Sequence, residues 1–190
     1  MRARTVVGVP ATTGLATGVS EIVGGSIPKE YIPSCDKGFR DSLDRGVLIE
    51  APVTGIEMEI NDGQSHAVDS SDMAFQIAAR GAFREAMGNA KPVIMEPIMK
   101  VQVEGPEEFQ GGMQTTLIRR RGTIIGSETH HGNTVIDAHV PLSEMFGYST
   151  ELRSATQGKA EFTMEFSHYD KVPSQIQEDL IKVHQEKKKK

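Results

Sequence analysis

The chain has 190 residues, a net charge of −5, 37% hydrophobic residues and no Trp. That length allows one domain or two small ones, and the thin aliphatic content suits two small cores better than one large one. The charge excludes a general polyanion binder, the lone Cys35 excludes an internal disulfide and points to a reducing compartment, and no apolar run reaches the ~18 residues that cross a bilayer. The charge is also uneven: residues 1–97 carry −4, residues 98–173 carry −3 and residues 174–190 carry +2. Contact with RNA would have to use local patches, not a global field.

Residues 1–20, rich in Gly, Thr and Val, read as a weak strand and a loop too polar for a signal sequence. From Pro28 to Arg45, Ile32, Cys35, Phe39 and Leu43 recur at helical spacing, with Gly46 suited to the C-cap. Val53 to Ile60 alternates and predicts a strand with Ile56, Met58 and Ile60 on one face. Asp62-Gly63 makes a turn. Asp69 to Met87 reads as a second helix, capped by Asp69 or Ser70, burying Met73, Ala74, Ile77, Ala78 and Ala82. Lys91 to Pro97 reads as an extended link.

From Ile98 the pattern becomes regular. A strand over 98–103 leads to a helix over 106–120 that aligns Phe109, Met113 and Leu117. Strands over 123–127 and 134–140, a helix over 142–154 and a strand over 161–167 complete a βαββαβ order, the ferredoxin-like pattern. Residues 175–190 form a last helix, with Ile176, Leu180 and Val183 on one face and a Lys187–Lys190 tail.

No GxxxxGK[ST] phosphate loop occurs, so no intrinsic GTPase and no nucleotide cofactor is expected. His66 near Asp69 and Ser70 reads as a loop histidine before a helix cap, not a catalytic triad. His130, His131, Asp137 and His139 lack the tight spacing of a structural zinc site, and a small metal-dependent enzyme built on them stands only as a remote alternative. Cys35, on an apolar helix face, reads as a buried inert thiol. Arg119, Arg120 and Arg121 end a helix. One or two can complement the negative helix end, but three consecutive side chains point different ways, which leaves cations for phosphate. The Gly24-Gly25-Ser26-Ile27-Pro28-Lys29 loop can bring backbone amides to a phosphate or be a plain strand-to-helix turn.

Three blocks resemble elongation factor G. They are Ile22–Pro33; Ser65–Phe75 continuing to Lys91–Val101; and Arg119–Gly122 with Pro141-Leu142-Ser143-Glu144-Met145-Phe146-Gly147-Tyr148 through Gly158 and Phe162–Phe166. Glu107–Gly111 and Gln177–Leu180 look most like the mitochondrial-type and related bacterial branch. The resemblance covers residues 21–183 and leaves out residues 1–20, so either those residues substitute for the family's opening strands or a sheet edge is left unpaired and the domain damaged. It implies an α+β chain of two small domains. Residues 1–97, completed by helix 174–190, resemble domain IV, with the βαβ fold of the second domain of ribosomal protein S5. Residues 98–173 resemble domain V, which is ferredoxin-like. It also implies a ribosome-binding module for translocation. Gly24, Gly25, Ser26, Lys29, Ser65 and His66 would lie in tip loops contacting tRNA and mRNA in the decoding site, and Arg119, Arg120 and Arg121 would face rRNA. His66 stands where eukaryotic relatives carry a modified histidine, while Ser65 and Ala67 depart from the family's usual tip. The implied partners are the ribosome and a separate GTPase-bearing chain, with no membrane; the implied location is the cytoplasm or, alternatively, the mitochondrial matrix. A remnant that keeps the fold without a ribosomal role is the other reading.

Overall fold

The computed structural model describes residues 2–5, 17–20, 27–60 and 62–189. The chain divides into two compact units, Met1–Ile94 with Pro173–Lys190, and Met95–Val172. It is an α+β protein.

In the first unit, strand β1 (Arg2–Thr5) pairs antiparallel and β2 (Thr17–Ser20) parallel with β3 (Ile56–Ile60), giving the order β1-β3-β2. Strand β3 therefore has a partner on each side, both from residues 1–20, which fits the alternative in which those residues substitute for the opening strands. Helix α1 (Ile32–Leu43), entered through a 3-10 turn at Lys29–Tyr31, makes β2-α1-β3 a βαβ unit. Pro33 sits in the first turn of α1, where its missing N–H costs nothing. Gly46 is not the C-cap, which is Asp44. Ile56, Met58 and Ile60 are buried, as the alternation predicts.

Helix α2 (Asp72–Asn89) corrects two expectations. Its cap is Ser71, whose hydroxyl accepts from Ala74 N–H at 3.2 Å; Asp69 and Ser70 lie outside the helix. Its buried face is Phe75, Ala79, Phe83 and Met87, while Met73 and Ile77 are exposed. Apolar residues surround this helix, and the phase that buries two phenylalanines wins because aromatic rings bury the most area. Phe83 meets Phe39 edge-on at 5.8 Å, and Phe75 stacks on Tyr31 at 4.5 Å.

Helix α5 (Ser174–Lys188) belongs to this unit: Gln177 accepts from Ile94 N–H at 2.8 Å, and Lys188 pairs with Glu50 at 2.6 Å, holding that carboxyl below its usual range. Its half-buried side is Ile176, Gln177, Ile181 and His184; Leu180 and Val183, expected on the apolar face, are exposed. Among the described residues no helix is long and apolar enough to cross a membrane.

The second unit is one antiparallel sheet in the order β5-β6-β4-β7, from β4 (Met95–Pro106), β5 (Thr123–His130), β6 (Asn133–Pro141) and β7 (Glu161–Lys171). With α3 (Gln110–Arg119) and α4 (Tyr148–Thr156) between strands, this is the ferredoxin-like order. The link expected over Lys91–Pro97 ends in β4. Val101, Val103, Ile136, Ala138 and Val140 point into one core with Met113 and Leu117 of α3 and Leu152 of α4. The core closes around Tyr148, fully buried, whose ring meets Phe162 edge-on at 4.9 Å and whose hydroxyl lies 3.2 Å from Thr116 Oγ1. Burial pushes the Tyr148 phenol up.

Candidate nucleic-acid interface

The loops expected at a tip are set by two helices that lie side by side and parallel. Ser34 donates to Asp72 Oδ1 at 2.5 Å, and Asp41 pairs with Arg80 at 3.2 Å, so equivalent turns of α1 and α2 face each other along both. Gly38 allows this approach: a Cβ there would lie 2.4 Å from the Gln76 carbonyl oxygen. Both N-termini, with their unpaired N–H groups and partial positive charge, therefore point the same way. Asp72, in the first turn of α2, offsets part of that charge.

The loop after β3 joins this end. Gly63 lies against Ile27, where an added Cβ would come within 2.5 Å of that side chain. Ile27 is itself core, so the segment leading into Lys29 and the loop leading to His66 share one base. The turn at 66–70 is closed twice: His66 N–H donates to Ser70 Oγ at 2.9 Å, and Ser70 N–H donates to His66 O at 3.1 Å. It holds Ser65, His66, Ala67, Val68 and Asp69 outward, with Val68 92% exposed. Lys29 is exposed at the foot of α1. Gly24, Gly25 and Ser26 lie outside the described residues. The described tip carries Lys29 and His66 against Glu30, Asp62, Asp69 and Asp72, so it offers hydrogen bonds more than attraction to phosphate.

The three arginines separate. Arg120, with its side chain 17% exposed, pairs with Glu151 at 2.7 Å, donates to the carbonyls of Glu144 and Phe146, and lies over the Tyr148 ring at 5.3 Å. Arg121 takes the left-handed conformation, φ 59°, and forks onto Glu96 with Glu144 at 3.6 Å. Those carboxylates raise its pKa. The following amide, Gly122 N–H, bonds back to Leu117 O at 2.9 Å, and a Cβ at Gly122 would sit 2.6 Å from that oxygen. Only Arg119 is exposed without an ion-pair partner among the described residues. It lines a groove of about 470 Å³ between α3 and α4 with Gly111, Gly112, Thr115, Glu151 and Ser154.

The histidines do not gather into a metal centre. His130 and His131 sit at the β5–β6 turn, while His139 pairs with Thr123 at the other end of the ladder, roughly 20 Å away at ~3.3 Å per residue. Among the described residues no three potential ligands converge. His139 instead packs on His168 at 5.1 Å between ring centres. Burial first, then the charges of His168 and Lys100, hold its imidazole below the usual value. A folded pKa below the unfolded one favours the neutral ring, so its contribution is present above about pH 6.5 and is lost as pH falls through the folded value. His168→Asn is expected to move the His139 titration upward by NMR; an unmoved titration contradicts the coupling. Cys35 is buried and its thiol is pushed up by that burial, which makes it inert.

Two family models match the chain in sequence order: elongation factor G, domain IV, over residues 7–91, and elongation factor G C-terminus, over residues 93–180. The chain belongs to the elongation factor G family. Elongation factor G 1 of Desulfotalea psychrophila is 61% identical over 171 residues, 90% of this chain and 25% of that protein. The Treponema pallidum elongation factor G 1 is 58% identical over the same share, and that of Borreliella burgdorferi is 62% identical over 86% of this chain and 24% of its own. A crystal structure of a Thermus thermophilus protein superposes with a TM-score of 0.79 at 38% identity, covering 90% of this chain and 26% of that one. The chain thus spans about a quarter of the length of these relatives. The match from residue 7 also corrects the expectation that residues 1–20 fall wholly outside the family pattern.

The Pro141–Gly158 signature is mostly a folding requirement. Met145, Tyr148, Leu152 and Thr156 are buried, and Gly147 and Gly158 both hold φ near 75°. Phe146 is the exception, 79% exposed.

Proposed function

We propose that the chain is a ribosome-directed module of translation that acts by binding during translocation and carries out no GTP hydrolysis. In this reading residues 1–97 with helix 174–190 act as domain IV and residues 98–173 as domain V. The tip loops, Gly24–Lys29 and Ser65–His66, contact tRNA and mRNA in the decoding site, and Arg119 meets rRNA. The chain would act in the cytoplasm or, alternatively, the mitochondrial matrix, with any GTP chemistry lying outside these 190 residues.

The observation that carries this reading is the convergence of the two loop bases on one end of two parallel helices, with His66 held outward by a turn that leaves its side chain unbonded among the described residues. A histidine so presented can hydrogen-bond a base edge or a 2′-hydroxyl. The test is co-sedimentation with 70S ribosomes at about 50 and about 200 mM salt. Binding is expected, with a shallow salt dependence because acids flank the tip. His66→Ala is expected to weaken it about tenfold, the size of one good polar contact. No pelleting at either salt would favour the fold-retaining remnant. GTP turnover by the purified chain would overturn the non-enzymatic part.

A further inference from the structure

The tip and Arg119 leave one basic site unused. A cavity of about 210 Å³ opens between the later turns of α1 and the middle of α2, lined by Asp41, Ser42, Arg45, Arg80, Phe83 and Arg84. Three arginines and one aspartate line it, in a chain whose net charge is −5, and Glu50, already paired with Lys188, is the further carboxylate that feels Arg45. Like charges pooled around one hollow repel unless something neutralises them. Asp41 reaches only Arg80, through Nη2 at 3.2 Å. Ser42 spends its proton on the Gly38 carbonyl at 2.8 Å, which leaves the hydroxyl no proton to donate outward. The Nε–H of Arg80 is buried and has no acceptor among the described residues. A hollow lined by arginine side chains, which carry donors and no acceptor, suits an anionic acceptor.

We propose that this cavity binds a phosphate group of an RNA backbone, with Arg45, Arg80 and Arg84 around the anion. Phe83, 3% exposed, forms the apolar floor, and the two excess positive charges match one phosphodiester and its neighbour. Guanidinium forks suit phosphate because two parallel N–H groups meet two oxygens. The site lies towards the C-terminal end of α1, away from the Ser34–Asp72 end that carries the tip, so it would hold a second stretch of backbone. It deepens the ribosomal reading by naming a phosphate contact, yet it can be tested without ribosomes.

The experiment is fluorescence anisotropy of the full chain with a labelled single-stranded octauridylate, with arginine Nε NMR in parallel and inorganic phosphate as a second probe. Arg45→Ala and Arg84→Ala, both exposed, are each expected to weaken octauridylate binding three- to tenfold and to lower the salt slope by about 1. Asp41→Asn removes the competing carboxylate and is expected to tighten binding about threefold, which a merely structural role would not do. The Arg80 Nε resonance should shift on adding the oligonucleotide. Unchanged affinity in both arginine variants, or no gain with Asp41→Asn, overturns the site. A shift with inorganic phosphate but none with octauridylate overturns its assignment to RNA. Ribosome binding unchanged by His66→Ala, with these readouts as expected, would overturn the tip reading and leave this cavity standing, which separates the two failures.

Discussion

Replacing Gly38 by Ala is expected to destabilise the first unit by about 1–2 kcal/mol and by Val about 3 kcal/mol, although helix propensity alone favours Ala over Gly by roughly 0.5–1 kcal/mol. The sign is decided by what the new atom meets. A Cβ at Gly38 would lie 2.4 Å from the Gln76 carbonyl oxygen and 2.7 Å from Gln76 Cα, which are backbone atoms of α2 and cannot rotate away. The helices must part, and the Phe39–Phe83 contact beneath them loosens with them. Urea unfolding followed by circular dichroism should show the midpoint fall by about 0.5–1 M for Ala, taking a slope of ~2 kcal/mol per M. A midpoint at or above the wild-type value would show that α1 and α2 do not approach so closely. Under the proposed ribosomal reading, pelleting is expected to fall in these variants before the fold is lost, because Lys29 and the loop of His66 lie at the N-terminal ends of these helices.

The second large effect is expected at Arg120. Arg120→Met keeps the aliphatic stem and removes the guanidinium from Glu151, two carbonyls and the Tyr148 ring. Breaking a buried pair costs about 3–5 kcal/mol and an exposed one ~0–1, and side-chain exposures of 17% and 30% place this pair between them, at about 2 kcal/mol. Glu151→Gln should recover part of that loss in the double variant, because the orphaned carboxylate is then gone. Arg119→Ala should behave the other way: stability within ~0.5 kcal/mol of wild type and ribosome affinity lowered three- to tenfold. Equal loss of stability at both positions would contradict this division of structural and contact roles.

Which of the three arginines are ion-paired was hidden in the sequence. Arg119-Arg120-Arg121 offers three identical cations, and nothing local says which are occupied. Their partners lie far along the chain: Glu151 for Arg120, Glu96 for Arg121. The missed cavity has the same cause. Arg45, Arg80 and Arg84 are unremarkable as surface residues until α1 and α2 bring them together. One cue existed, since Arg80 and Arg84 stand one turn apart on α2, but it has no meaning without α1.

What the sequence settled by itself is what short-range chemistry controls. The alternation of Ile56, Met58 and Ile60 determined the inner face of β3, because a strand has only two faces. The helix through Met113 and Leu117 was readable because Phe109, Met113 and Leu117 recur every four residues. The family signature was legible because Gly147 and Gly158 hold a backbone conformation that costs other residues energy, and because Tyr148 fills the centre of a core. The tertiary structure alone decided the phase of α2. With Met73, Ala74, Ile77 and Ala78 as apolar as Ala79 and Met87, periodicity leaves several faces open, and only packing against α1 and β3 selects the one through Phe75 and Phe83. It also decided that the loops at Lys29 and His66 share one base, because that depends on Gly63 meeting Ile27 and Ser34 meeting Asp72, contacts between residues about forty apart that no local pattern encodes.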